Sequence, residues 1–157
     1  KAATGQSAQP DVWATAWAVY LHVLEGPEAL KACRVLADAY EKGSLAYKGS
    51  IRHVLKTDDF SKNTAWESAV VPVNQYQNGA YWGTPTGWVA YAIARVNTGD
   101  ARTLVKEYIT DLRESDFRKG PGFNAPLECF YPPSYTRGPV YLTTVSCPYI
   151  VFNSMSK

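Results

Sequence analysis

Charge is absent from three stretches of the chain and concentrated in two others, and this alternation predicts the elements. From Asp11 to Leu24 the run DVWATAWAVYLHVL carries no charge after Asp11. Its apolar residues, among them Val12, Trp13, Ala16, Trp17, Val19, Tyr20, Val23 and Leu24, occupy every helical face. A helix apolar all round is buried all round, and this one is too short to cross a membrane. Gly26-Pro27 breaks it. Between Pro27 and Lys42 the pattern changes: Ala29, Leu30, Cys33, Leu36, Ala37 and Tyr40 form one stripe, with Lys31, Arg34, Asp38 and Glu41 off it. That pattern predicts a surface helix, started near Pro27 and capped by Gly43. The pair recurs. Gly83 to Val96 has a single charge, Arg95, and Asp100 to Asp116 buries Ala101, Leu104, Val105, Tyr108, Ile109 and Leu112 on one stripe. A third uncharged run, Pro139 to Phe152, contains Pro148 and enough β-branched residues to leave helix and strand both open.

The order is therefore inner, outer, inner, outer, inner. Tight connections at Gly26-Pro27 and Asn97-Thr98-Gly99 lead from inner to outer helices, and long ones, about residues 43–82 and 116–138, lead back. The expectation is a mainly all-α chain of α/α hairpins in two layers, with both long loops on one functional face. One small β-hairpin is predicted in the first loop, where Leu45 and Tyr47, then Gly49-Ser50, then Ile51, His53 and Leu55 alternate around a turn signal. An ordinary helical bundle with decorated loops is the plainer alternative.

Composition narrows the function classes. The 157 residues include sixteen Lys and Arg against fourteen Asp and Glu, a formal charge of +2 with no block of one sign. That balance does not indicate a nucleic-acid surface. Cys33, Cys129 and Cys147 lack metal-ligand spacing, and the two histidines, His22 and His53, lie far apart in sequence, so no metal site or other cofactor is expected. No apolar run reaches the length of a membrane span. The chain starts at Lys1, which processing, trimming or a larger parent chain would each explain. Eleven Tyr and five Trp against five Phe favour aromatic rings that also carry a hydrogen-bonding group.

The long loops hold the candidate chemistry. Asn74-Gln75-Tyr76-Gln77-Asn78-Gly79-Ala80-Tyr81-Trp82 is uncharged and dense in amides and aromatics. Amides match sugar hydroxyls and flat rings can stack on a pyranose, although the same residues suit a buried turn. In the second loop Glu128 is the only carboxylate after Asp116, enclosed by prolines and aromatics that favour a protonated general acid. Hydrogen bonds from loop backbone are the competing role for Glu128. Asp11 is first an N-cap, and its position on the same face makes it a second carboxylate candidate. Arg52, His53 and Arg137 suit either ligand orientation or pairing with surface carboxylates.

The strings Gln9-Pro10-Asp11-Val12-Trp13-Ala14-Thr15, Tyr76-Gln77-Asn78-Gly79-Ala80-Tyr81-Trp82 and Asn124-Ala125-Pro126-Leu127-Glu128-Cys129-Phe130 resemble the six-hairpin glycosidase superfamily. The resemblance covers roughly residues 6–152 and corresponds to the last two and a half hairpins of six. It implies that residues 1–157 are a single partial domain, the C-terminal portion of an (α/α)6 toroid. It further implies hydrolysis of glycosidic bonds, with Glu128 as acid and Asp11 as base. Gln75, Tyr76, Gln77, Asn78, Tyr81, Trp82, Trp13, Arg52, His53 and Tyr131 would bind the oligo- or polysaccharide. Two alternatives stand beside hydrolysis. A polysaccharide lyase would draw on Tyr81, His53, Asn78 and Arg52; a glycan-binding or scaffold subunit would need only the aromatics. Half a ring would expose apolar helices, so the remainder of a parent chain or another subunit is the expected partner. The resemblance favours an extracellular or periplasmic location.

Overall fold

The computed structural model describes residues 11–55 and 70–155. Its elements follow in the order α1 (Val12–Tyr20), α2 (Gly26–Glu41), β1 (Ala46–Tyr47), β2 (Ser50–Arg52), β3 (Tyr81–Trp82), α3 (Thr86–Ala94), α4 (Thr98–Glu114), β4 (Leu127–Tyr131), β5 (Tyr135–Pro139) and α5 (Thr143–Met155). A short 3-10 turn at Phe117–Lys119 precedes β4.

All five expected helices are present, with changed ends. Helix α1 stops at Tyr20, before the apolar run ends, because the N–H groups of Val23 and Leu24 both turn back to the Ala18 carbonyl and His22 takes φ 58°. Val23 is left 77% exposed. The last uncharged run is helical despite Pro148. A proline inside a helix leaves the carbonyl four residues earlier without its N–H partner. Here that carbonyl belongs to Thr144, and it accepts the hydroxyl of Tyr108 from α4 instead.

The expectation of a mainly all-α chain forming part of an (α/α)6 toroid is overturned. The fold is mixed α/β, with a five-stranded antiparallel sheet in the order β1-β2-β3-β4-β5. The strands lie in the long connections. The anticipated hairpin is there, pairing Ala46 with Ile51 and Tyr47 with Ser50. The second connection, read as a proline-rich loop, forms another hairpin, pairing Cys129 with Arg137 and Tyr131 with Tyr135 around Pro132-Pro133. Its prolines are tolerated because they lie in the turn and at the end of β5, an edge strand. Two-residue β3 joins the hairpins through Ile51–Trp82, Arg52–Tyr81 and Tyr81–Phe130 pairs.

Helix α3 is the centre of the helical layer, packed on α1, α2, α4 and α5. It buries Thr86, Gly87, Val89, Ala90, Ala92 and Ile93. Leu36 of α2 and Leu104 of α4 complete the same core, each buried side chain contributing about 1.5–3 kcal/mol. The sheet and its flanking loops dock on the N-terminal ends of the three uncharged helices. The Val12 N–H donates to the His53 carbonyl at 3.1 Å. The Thr86 hydroxyl donates to the Gly49 carbonyl at 2.9 Å, and the Thr144 hydroxyl to the Leu127 carbonyl at 2.6 Å.

Candidate functional site

Strand β3 divides the candidate residues, because successive side chains of a strand point to opposite faces. Trp82 packs in a cluster with Ala80 and Cys129, against which Trp13, Tyr76, Tyr131 and Tyr135 lie. Tyr81, its neighbour, stacks on Tyr131 with ring centroids 5.7 Å apart and meets Tyr47 and Phe130.

On the Trp82 side a continuous path of contacts joins the two candidate carboxylates. Asp11 caps α1 by accepting from the Ala14 N–H at 2.9 Å, and its Oδ1 lies 3.3 Å from His53 Nε2. Burial acts to raise the Asp11 carboxyl, but hydrogen bonds from His53 and Ala14 outweigh it and leave the group below its ordinary value. His53 stacks on Trp13 at 4.4 Å, and Trp13 meets Trp82 edge-on at 5.2 Å. Trp82 contacts Tyr76 at 5.0 Å, and its indole N–H donates to the Tyr76 carbonyl at 3.2 Å. The Arg137 guanidinium lies over the Tyr76 ring at 4.5 Å, and its Nε is 3.3 Å from Glu128 Oε2. The Tyr76 hydroxyl also faces Glu128, and burial, then that carboxylate, push the Tyr76 phenol up. Gly138 stands opposite Glu128 at φ 60°; a Cβ there would sit 2.5 Å from the Glu128 Cβ, so only glycine leaves room for the carboxylate.

Glu128 is thus held by a cation and a phenol rather than isolated among apolar groups, as its sequence surroundings suggested. Its neighbour Cys129 is fully buried, and burial, then the Glu128 charge, push its thiol up to about 12, which keeps it protonated and unreactive. The Nε1 of Trp13 is buried without a hydrogen-bond partner among the described residues.

The remaining candidates are placed differently. Arg52 is 1% exposed; its Nε donates to the Val54 carbonyl at 3.1 Å, and its guanidinium lies 5.7 Å from both the Tyr81 and Tyr131 rings. Asn78 is equally buried and ties down its own turn, its amide donating to the Val71 carbonyl at 2.6 Å. Gly79 follows at φ 112°, where a Cβ would fall 2.5 Å from the Arg52 guanidinium. Tyr81 and Trp82 are 1% and 5% exposed. These four side chains therefore support the site from behind and present no open face to a ligand. Gln75 is half-buried and Gln77 exposed.

Beside this path lies a cavity of about 270 Å³, lined in part by Tyr47, Lys48, Asp111, Tyr131, Pro132 and Tyr135. Lys48 Nζ bonds to Asp111 Oδ1 at 3.0 Å across it, and that bond holds the ammonium above its ordinary value. Tyr135 joins cavity and path, since its hydroxyl accepts the Tyr76 N–H at 3.1 Å. Of the ligand-binding candidates only Tyr131 lines the cavity. Tyr47, Lys48, Asp111 and Tyr135 were not marked by the sequence because they converge from β1 and the turn after it, α4 and β5. The alternation of Cys129, Tyr131, Tyr135 and Arg137 about Pro132-Pro133 was the available signal for the last of these. No group of three or more His, Cys, Asp or Glu side chains among the described residues is arranged to hold a metal ion.

Compared with models of known protein families, with curated proteins and with solved structures, the chain shows no match.

Proposed function

We propose that the protein acts on carbohydrate, hydrolysing glycosidic bonds as part of a larger chain or assembly. Glu128 delivers a proton to the leaving oxygen once ligand binding parts it from Arg137, and Asp11 is the base that takes a proton from the attacking water. The observation that carries this reading is the path of contacts from Asp11 through His53, Trp13, Trp82 and Tyr76 to Arg137 and Glu128. It links the two carboxylates through one series of ring contacts, with a basic side chain beside each. The low-lying Asp11 carboxyl stays ionised near neutral pH, as a base must. Half-buried Trp13, Tyr76 and Tyr131 supply ring edges and faces, and the adjoining cavity, lined by Tyr131 but by neither carboxylate, is smaller than the roughly 300–1,000 Å³ of drug-sized sites, a scale suited to one sugar ring. The outer faces of α1 and α5 support a covering partner: Trp17 and Leu21 are 49% and 50% exposed, and Tyr149 and Ile150 are 64% and 62% exposed.

Release of reducing ends from a panel of neutral and uronic-acid oligosaccharides tests the assignment in the intact assembly. Glu128→Gln and Asp11→Asn are each expected to lower kcat by about 10²–10⁴, and Trp13→Ala to act mainly on KM. Turnover within severalfold of the parent in both carboxylate variants would refute the assignment. Unsaturated uronide products would establish elimination instead, and glycan retention without turnover would make this a binding subunit.

A further inference from the structure

We propose that the groove between α4 and α5 docks an amphipathic helix of a partner protein whose polar flanks carry carboxylates. Both helices pack on α3, whose Ala94 reaches the groove. Ala101, Val105 and Ile109 recur every four residues along α4, and Phe152 and Met155 face them from α5. Together they bound an open volume of about 660 Å³.

The rim is of one sign. Arg102, Lys106 and Arg113 line the groove, all three are exposed, and among the described residues no carboxylate lines it and none of the three forms an ion pair. Their offsets of four and eleven residues hold the cations on one side of α4, beside the apolar stripe. The acidic residues Glu107, Asp111 and Glu114 lie in a neighbouring depression with Lys48, and Lys106 borders both. At Ile109 and Arg113 the groove continues into a further depression lined by Phe117, Leu142 and Val145. The carboxylate there, Asp116, is already engaged by Arg118 at 2.5 Å.

An apolar trough beside unpaired cations matches a helix with an apolar stripe and acidic flanks, the helix-in-groove mode of recognition. From Thr98 to Arg113 the trough follows α4 for about 22 Å at 1.5 Å per residue, enough for roughly four turns of a partner helix. A free phosphate would leave the apolar trough unfilled, and a neutral apolar helix would leave Arg102 and Arg113 beside it without counter-charge among the described residues.

The test uses two fluorescein-labelled synthetic helices of about four turns. Both carry Leu at i, i+3, i+4 and i+7; one has Glu on its flanks and the other Lys. Anisotropy titrations of the intact protein are expected to show the Glu helix binding at least about tenfold tighter than the Lys helix. Arg102→Glu with Lys106→Glu is expected to reverse that preference, and Val105→Ser to weaken the Glu helix without altering it. Raising salt from about 0.1 M to about 1 M shortens screening from about 10 Å to about 3 Å and is expected to weaken the Glu helix. These substitutions are at exposed or half-buried positions, and circular dichroism verifies the fold of each variant. Equal binding of the two helices, no reversal by the double variant, or displacement of neither helix from a site that instead takes oleate would each overturn the proposal.

Discussion

Asp11 combines two duties at one side chain, ending the backbone of α1 and facing His53. Its folded-state carboxyl lies below the ordinary value of 3.8. A carboxyl depressed by folding adds stability that is complete above its unfolded value and disappears as pH falls through the folded one. Acid titration of the unfolding free energy is therefore expected to show a decline below about pH 4 that is shallower in Asp11→Asn. At neutral pH the same variant is expected to lose no more than about 1 kcal/mol, since Asn caps a helix nearly as well as Asp. An unchanged acid slope would remove Asp11 from this role. The Asn variant also separates stability from catalysis, because it keeps the cap and removes the base. Residue chemistry was partly legible: the N-cap and a carboxylate in the proline-rich segment could be read off. The Arg137–Glu128 pair and the Tyr76 contact could not, since these residues meet only when β4, β5 and the turn before β3 come together.

Among the elements, α5 shows how a local rule is satisfied from outside. Pro148 leaves the Thr144 carbonyl without its helical donor, and the Tyr108 hydroxyl from α4 occupies it. Tyr108 is 4% exposed, and burial pushes its phenol well above the usual range, so the hydroxyl remains a donor. Tyr108→Phe is expected to cost about 1–3 kcal/mol in denaturant unfolding, because a buried carbonyl is left unsatisfied. A change below about 0.5 kcal/mol would place the carbonyl in contact with water instead. The helices were legible because charge periodicity persists over three or four turns. The sheet was not, because strands of two to five residues carry too few alternations to register and the prolines of the second hairpin read as loop. Gly49-Ser50 announced the first hairpin, but β3 is fixed by its neighbours on both sides.

At the scale of the whole molecule, three helices of similar uncharged composition meet different fates. Helix α3 is enclosed, while α1 and α5 flank it and are covered on one side. Trp17, Leu21, Tyr149 and Ile150 remain exposed, although Trp17 stacks on Trp88 at 5.4 Å. Exposed large apolar side chains on each flank are candidate interaction surfaces. The native chain is expected to enhance the fluorescence of an apolar dye such as ANS, and Tyr149→Ser with Ile150→Ser to reduce that signal without loss of helicity. Dye binding that is absent, or untouched by the pair, would show these faces to be closed in solution.

The sequence by itself determined four of the helices and which segments are uncharged, because a 3.6-residue period and the avoidance of charge are properties of each segment alone; it left the last run open between helix and strand. It also placed a carboxylate, Glu128, and an aromatic-rich turn in the connections. Tertiary structure decided that those connections pair into one sheet, that Tyr81, Trp82, Arg52 and Asn78 lie behind the site, and that Tyr76 and Arg137 meet Glu128. Those outcomes depend on contacts between residues distant in the chain, where packing volume and the pairing of buried polar groups select one arrangement from many that the local pattern allows.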